Sequence, residues 1–159
     1  MTFSCQFPNR WSLLPDEAFA VIAPADSQAG TRMLGGLAGP LDTTYDFAST
    51  IVTMASSIPD DQEDATVLAD SARFIQEGIG GFILLEDMAW PSTPRGAFLR
   101  TGIYIDDTVP LMMCQWAWVL HAQGGQRYLV TATATTTTDQ FPFVADDIVG
   151  IVPTIEVAL

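Results

Sequence analysis

His121 is the only histidine in the chain, so any imidazole base or histidine metal site would depend on it. It lies close to the Gly124–Gly125 pair and reads as a half-exposed hairpin residue. The carboxylates come in adjacent pairs, Asp60–Asp61, Asp106–Asp107 and Asp146–Asp147. Neighbours on a helix diverge by about 100°, so such a pair does not share a proton as a catalytic dyad does. An acid–base pair assembled from distant carboxylates stays open at this level. The run DDQED, Asp60 to Asp64, reads as a helix start, where acidic side chains complement the helix dipole. It lacks the D-x-D-x-D-G order of a calcium loop. The chain has no G-x-S-x-G, C-x-x-C, H-E-x-x-H or P-loop. Cys5 and Cys114 are too few for a disulfide framework, and their pairing stays open. The expectation is therefore a protein that is not an enzyme, with no catalytic residues, no metal site and no cofactor.

Trp116 and Trp118 offer a different kind of site. They alternate in an apolar run, VPLMMCQWAWVLHAQ, followed across the two glycines by QRYLVTATA. That arrangement predicts a tight hairpin of residues 111–121 and 127–135. A loop of two residues sets Trp116 opposite Thr133, Trp118 opposite Thr131 and Leu120 opposite Leu129. One face then carries two tryptophans among threonines, and the other is small and apolar, suited to a packed helix. Aromatic side chains dominate binding hot spots, which makes Trp116, Trp118, Thr131 and Thr133 the candidate partner-binding residues. Large aromatics also pack in cores, and both placements stay open for the pair.

The elements that would position these residues follow from pattern. Helix is expected near 62–77, capped by Asp60 or Asp61, with Leu68, Ala72, Ile75 and Ile79 on its apolar side and Gly78, Gly80 and Gly81 at its end. The run TATATTTTDQF, Thr131 to Phe141, begins with a strand period of two. It passes through Thr137 or Thr138 as a helix cap and enters a second helix near 139–152. Pro142 is tolerated near that start, and Pro153 should kink or end it. RGAFLRTGIYIDD and GFILLEDMAW read as strands. TFSCQFP, EAFAVIAPA and STIVTMASS read as shorter ones. The Gly-rich stretch AGTRMLGGLAGPLD, Ala29 to Asp42, reads as a loop without clear assignment. The order βββ-α-ββββ-α predicts one α+β domain over 1–159, an antiparallel sheet with two helices packed on it.

Charge narrows the partners. The chain has 159 residues and a net charge of −13, with 19 Asp and Glu against 6 basic residues, all of them arginine. Scattered arginines cannot neutralise a run of phosphates, so nucleic acid is excluded as a partner class. Anionic membrane surfaces are disfavoured for the same reason. No apolar run reaches the ~18 residues of a membrane helix, so no membrane insertion is expected. MTFSCQFPNRW has no basic region followed by an apolar one, and Cys5 comes early for a lipoprotein signal. A cytoplasmic chain is expected, or an exported one whose leader has been removed.

Three features together resemble the PsbP-like fold. They are the early F-P-x-x-W from Phe7 to Trp11, the late hairpin strand RYLVTATA from Arg127 to Ala134, and the helix FPFVADDIV from Phe141 to Val149. Members include PsbP, DcrB-like proteins and the LpqN-type lipoproteins of mycobacteria, and the tail is most similar to the LpqN type. The resemblance implies an accessory, adaptor or chaperone-like protein that binds another polypeptide, with no shared catalytic residues. The partner is expected to be basic or apolar, and a second copy of the chain is a further candidate. Two other readings stand beside this one. The chain could be an immunity-type protein neutralising a basic toxin through its acidic surface, or a small-ligand carrier.

Overall fold

Alternation of Ala and Thr does make the strand expected of it, but the loop before it sets a different register. The structure, a computed structural model, describes residues 1–15, 17, 18 and 30–158. Strand β7 runs Val109–His121 and β8 runs Arg127–Thr137. They pair antiparallel with Trp116 opposite Ala132, Trp118 opposite Val130 and His121 opposite Arg127. The expected pairs Trp116–Thr133 and Trp118–Thr131 are therefore shifted by one residue. The turn is longer than Gly124–Gly125. The Ala122 N–H donates to the Gln126 carbonyl (2.8 Å) and the Gly125 N–H to the Ala122 carbonyl (3.3 Å). Shifting the pairing by one residue exchanges the two faces of a strand. Trp116 and Trp118 accordingly share a face with Val130, Ala132 and Ala134, and the threonines Thr131, Thr133 and Thr135 lie on the other.

The architecture is α+β, with two antiparallel sheets and, among the described residues, two helices longer than ten residues. Ahead of the hairpin come β1 (Thr2–Ser4), β2 (Ser12–Leu13), β3 (Thr31–Asp42), β4 (Phe47–Ile58), α1 (Asp64–Gly78), β5 (Ile83–Ala89) and β6 (Phe98–Asp106). After it come α2 (Phe141–Ile151), a 3-10 turn Val152–Thr154 and β9 (Glu156–Ala158). The main sheet has the order β2-β3-β4-β8-β7-β6-β5, and β1 pairs with β9 in a sheet of two. Of the expected strand EAFAVIAPA, Glu17 and Ala18 are in helical rather than extended conformation, and the rest lies outside the described residues.

The Gly-rich stretch expected as a loop is strand β3. Its glycines make room for side chains laid over the sheet. A Cβ on Gly35 would collide with the Phe3 ring, and one on Gly39 would lie 2.8 Å from the Trp11 ring. Glycine here is a packing recess, which composition alone reads as a breaker.

The tryptophan face carries the core. Trp116 is 1% exposed and Trp118 6%, packed with Trp11, Leu37, Ile51 and Ala132 beneath Val144, Ile148 and Ile151 of α2. Burying side chains of this size contributes roughly 1.5–3 kcal/mol each. Trp90 meets Trp116 edge to face at 5.7 Å. Cys114 is buried here as a free thiol, and burial pushes its pKa up to about 12. Cys5 is also free, so the two do not pair.

Both helices start close to expectation, with different caps. Glu63, in the N-cap position of α1, makes no side-chain cap bond. Arg127 secures that start instead, donating to Asp64 Oδ1 (2.7 Å) and to the carbonyls of Pro59 (2.9 Å) and Gln62 (2.7 Å). The buried side of α1 is Val67, Ser71 and Ala72, rotated from the expected stripe of Leu68, Ala72, Ile75 and Ile79. At α2 the N-cap position is Gln140, whose N–H donates to Thr137 Oγ1 (3.1 Å). The 3-10 turn takes over at Val152, next to Pro153.

Candidate functional site

The threonine face is only partly roofed. Helix α1 packs on it over β7 and β5. Beneath α1 a polar row crosses four strands in register: Asp87 on β5, Arg100 on β6, Gln115 on β7 and Thr133 on β8. Arg100 is 1% exposed. It donates to Ser71 Oγ (2.8 Å), the Leu68 carbonyl (2.5 Å), Gln115 Oε1 (3.4 Å) and Asp87 Oδ1 (3.3 Å). Gln115 Nε2 passes the chain on to Thr133 Oγ1 (3.1 Å). Burial pulls the Arg100 pKa down, and the Asp87 carboxylate counteracts that pull. A buried cation is tolerated only when paired and hydrogen-bonded, and four acceptors meet that demand. This explains why a serine sits on the inner side of α1.

Where the roof stops, the row opens into a hollow. Its floor is Thr50, Val52 and Met54 of β4 with Thr133 and Thr135 of β8, its rim Asp46 and Phe47, and its volume about 430 Å3. A second hollow of about 320 Å3 continues along the same side of β4 through Ser56 and Ile58, between Leu129 and the α1 residues Val67, Asp70 and Phe74. Phe74 is 53% exposed at that edge. The two together form a shallow trough along one face of β4. Its floor is mixed, with β-branched and thioether side chains between hydroxyls. Such a surface contacts apolar groups and still offers hydrogen bonds to an extended chain.

The four candidate residues do not form one face. Trp116 and Trp118 are core on one side of the sheet, while Thr131 and Thr133 are half-buried on the other, with Thr133 in the trough. The one-residue register shift is the reason. Pattern reading missed Val52, Met54 and Arg100 as parts of a site. The signal for Arg100 was an arginine between apolar residues on the side of its strand opposite Leu99, Thr101 and Ile103.

Two other polar clusters hold structure. His121 is exposed, and its Nε2 lies 3.1 Å from Asp64 Oδ2, beside the Asp64–Arg127 pair. Asp147 accepts from Arg10 Nε (2.5 Å) and Trp11 Nε1 (2.6 Å), which pins the F-P-x-x-W segment to α2. The Arg10 hydrogen bond, followed by that of Trp11, holds the Asp147 carboxyl below its usual pKa. Among the described residues no three His, Cys, Asp or Glu side chains gather as a metal cluster. No described helix is long and apolar enough to cross a membrane.

No family model matches the chain. No curated protein matches it either. Among solved structures it is similar to LpqN of Mycobacterium tuberculosis, described as involved in cell envelope biogenesis. That match has 22% identity and a TM-score of 0.73, over 98% of this chain and 84% of that one. It is also similar to PA94 of Pseudomonas aeruginosa, a protein of unknown function described as a putative regulator. There the identity is 14% and the TM-score 0.62, over 100% of this chain and 99% of that one. At these identities the likeness shows a shared fold.

Proposed function

We propose that the chain is a non-enzymatic accessory or chaperone-like protein that holds another polypeptide in the trough on its threonine face. The observation that carries this reading is the unroofed floor of Val52, Met54, Thr133 and Thr135, continuous with the exposed Phe74 of α1. The floor is shallow and elongated along a strand, as an extended segment requires. The LpqN likeness supports an accessory role by analogy, since that protein is involved in cell envelope biogenesis. The wider kinship with PsbP-like and DcrB-like proteins belongs to the same proposal. A small-ligand carrier is the second reading, favoured by the 430 Å3 hollow, a volume within the range of ligand pockets.

The test is photo-cross-linking in the native cell with p-benzoylphenylalanine in place of Met54. The same group in place of Phe143, exposed on α2, is the control. Polypeptide adducts at the first position and not the second are expected. A small molecule co-purifying with the protein, with no polypeptide adduct, would establish the carrier reading instead.

A further inference from the structure

Strand β5 ends the main sheet, and among the described residues no strand pairs with its outer side. An edge of this kind offers unpaired N–H and C=O groups to another chain. Natural edges are commonly guarded by charged side chains, lysine above all, by proline, by a bulge or by a covering element. The β5 sequence, ILLEDMA, has neither lysine nor proline. All its residues but Leu84 are exposed, Ile83 by 57% and Leu85 by 52%. Its two carboxylates differ. Asp87 is tied to Arg100, whereas Glu86 is exposed and makes no salt bridge among the described residues.

A register irregularity between Leu84 and Glu86 takes Leu85 out of the ladder with β6. Ile83, Glu86 and Met88 therefore lie on one face of the edge, opposite Ile103, Thr101 and Leu99. Beside Ile83 that face holds an open apolar hollow of about 360 Å3, lined by Ile83, Ile103, Ile105 and Pro110. The edge thus presents a fixed order: apolar hollow, carboxylate, thioether.

We propose that β5 takes up an extended segment of a partner polypeptide as an added strand, with a basic side chain at the position facing Glu86 and apolar side chains two positions to either side. This rests on the polypeptide-binding reading for the kind of partner, though it uses a different surface from the trough. Main-chain hydrogen bonds along β5 provide attachment, and alternate side chains provide selection. Charge decides the occupant. Antiparallel self-pairing about the middle of β5 sets the two Glu86 carboxylates against each other, and two chains of net −13 repel. A basic segment meets complementary charge at both scales.

The probe is a labelled peptide, Thr-Val-Thr-Arg-Thr-Leu-Thr, titrated with the full chain and followed by fluorescence anisotropy. Binding is expected. It should vanish when the peptide's edge-facing amides are N-methylated, and weaken about fivefold or more when its Arg is replaced by Glu. Glu86→Lys should reverse the preference between the two peptides. Ile83→Asp should weaken both. Both positions are exposed, and circular dichroism checks that the variants fold. Absent binding, or binding indifferent to N-methylation and to Glu86→Lys, overturns the inference. Sedimentation showing a wild-type dimer that Ile83→Asp dissolves overturns it in favour of a second copy. If the edge fails while Met54 cross-links a polypeptide, the polypeptide-binding reading survives alone. If Met54 also captures none, both fall.

Discussion

Arg100 shows how one side chain can tie a helix to a sheet. Its guanidinium has acceptors on α1, β5 and β7, so its loss leaves several of them unmatched. Arg100→Ala is expected to cost about 3 kcal/mol in urea unfolding, with α1 loosened first as read by amide exchange. Asp147 makes a prediction about pH. Its native carboxyl is held below the ordinary value by Arg10 and then Trp11, so the folded state prefers it charged. That contribution is fully present above the unfolded pKa of about 3.9 and is lost as pH falls through the native value. The urea midpoint should therefore fall less between pH 5 and pH 3 in Asp147→Asn than in the wild type. Some acid sensitivity should remain, because Thr137 holds the Asp42 carboxyl low in the same sense. At this scale the sequence made the F-P-x-x-W segment visible but not its anchor. Asp147 is one of an adjacent acidic pair, and only α2's packing tells it apart from Asp146.

The elements were more legible than their registers. Periodicity placed both helices within a few residues, and it placed β7 and β8 as a hairpin. It could not fix how many residues lie between the strands, and an odd count inverted the faces. The expected binding face therefore lost its tryptophans to the core and kept its threonines. Strand β3 was hidden for another reason. Gly35 and Gly39 look like breakers until Phe3 and Trp11 are seen lying over them. Gly39→Ala should push the Trp11 ring away and destabilise by about 1–3 kcal/mol, with a change in tryptophan fluorescence. Gly124 and Gly125 matter differently, because their φ angles are +90° and +87° in open space. Gly124→Ala and Gly125→Ala should each cost about 1 kcal/mol through backbone strain, read as a lowered unfolding midpoint. Peptide binding at β5 should be unchanged, since the turn lies elsewhere.

At the scale of the whole molecule, net charge governs how a partner arrives and apolar area governs how long it stays. A basic partner should associate quickly at low salt, with a rate that falls as salt screens the attraction. Dissociation of a segment held in the trough should change little with salt, because apolar burial is not Coulombic. Stopped-flow rates against ionic strength separate the two. A steep fall in association with indifference to Met54→Ala would favour the immunity-type reading. The small sheet of β1 and β9 has its own consequence. Phe3 lies over Gly35 and faces Val157 across the pair, so the first strand of the chain is completed by one made at the far end. On the ribosome β1 emerges before β9 and stays unpaired until β9 has left the exit tunnel. Until then Phe3 has neither its partner strand nor the cover that the pair provides, so the β1–β9 sheet closes only after the strands between them have been made.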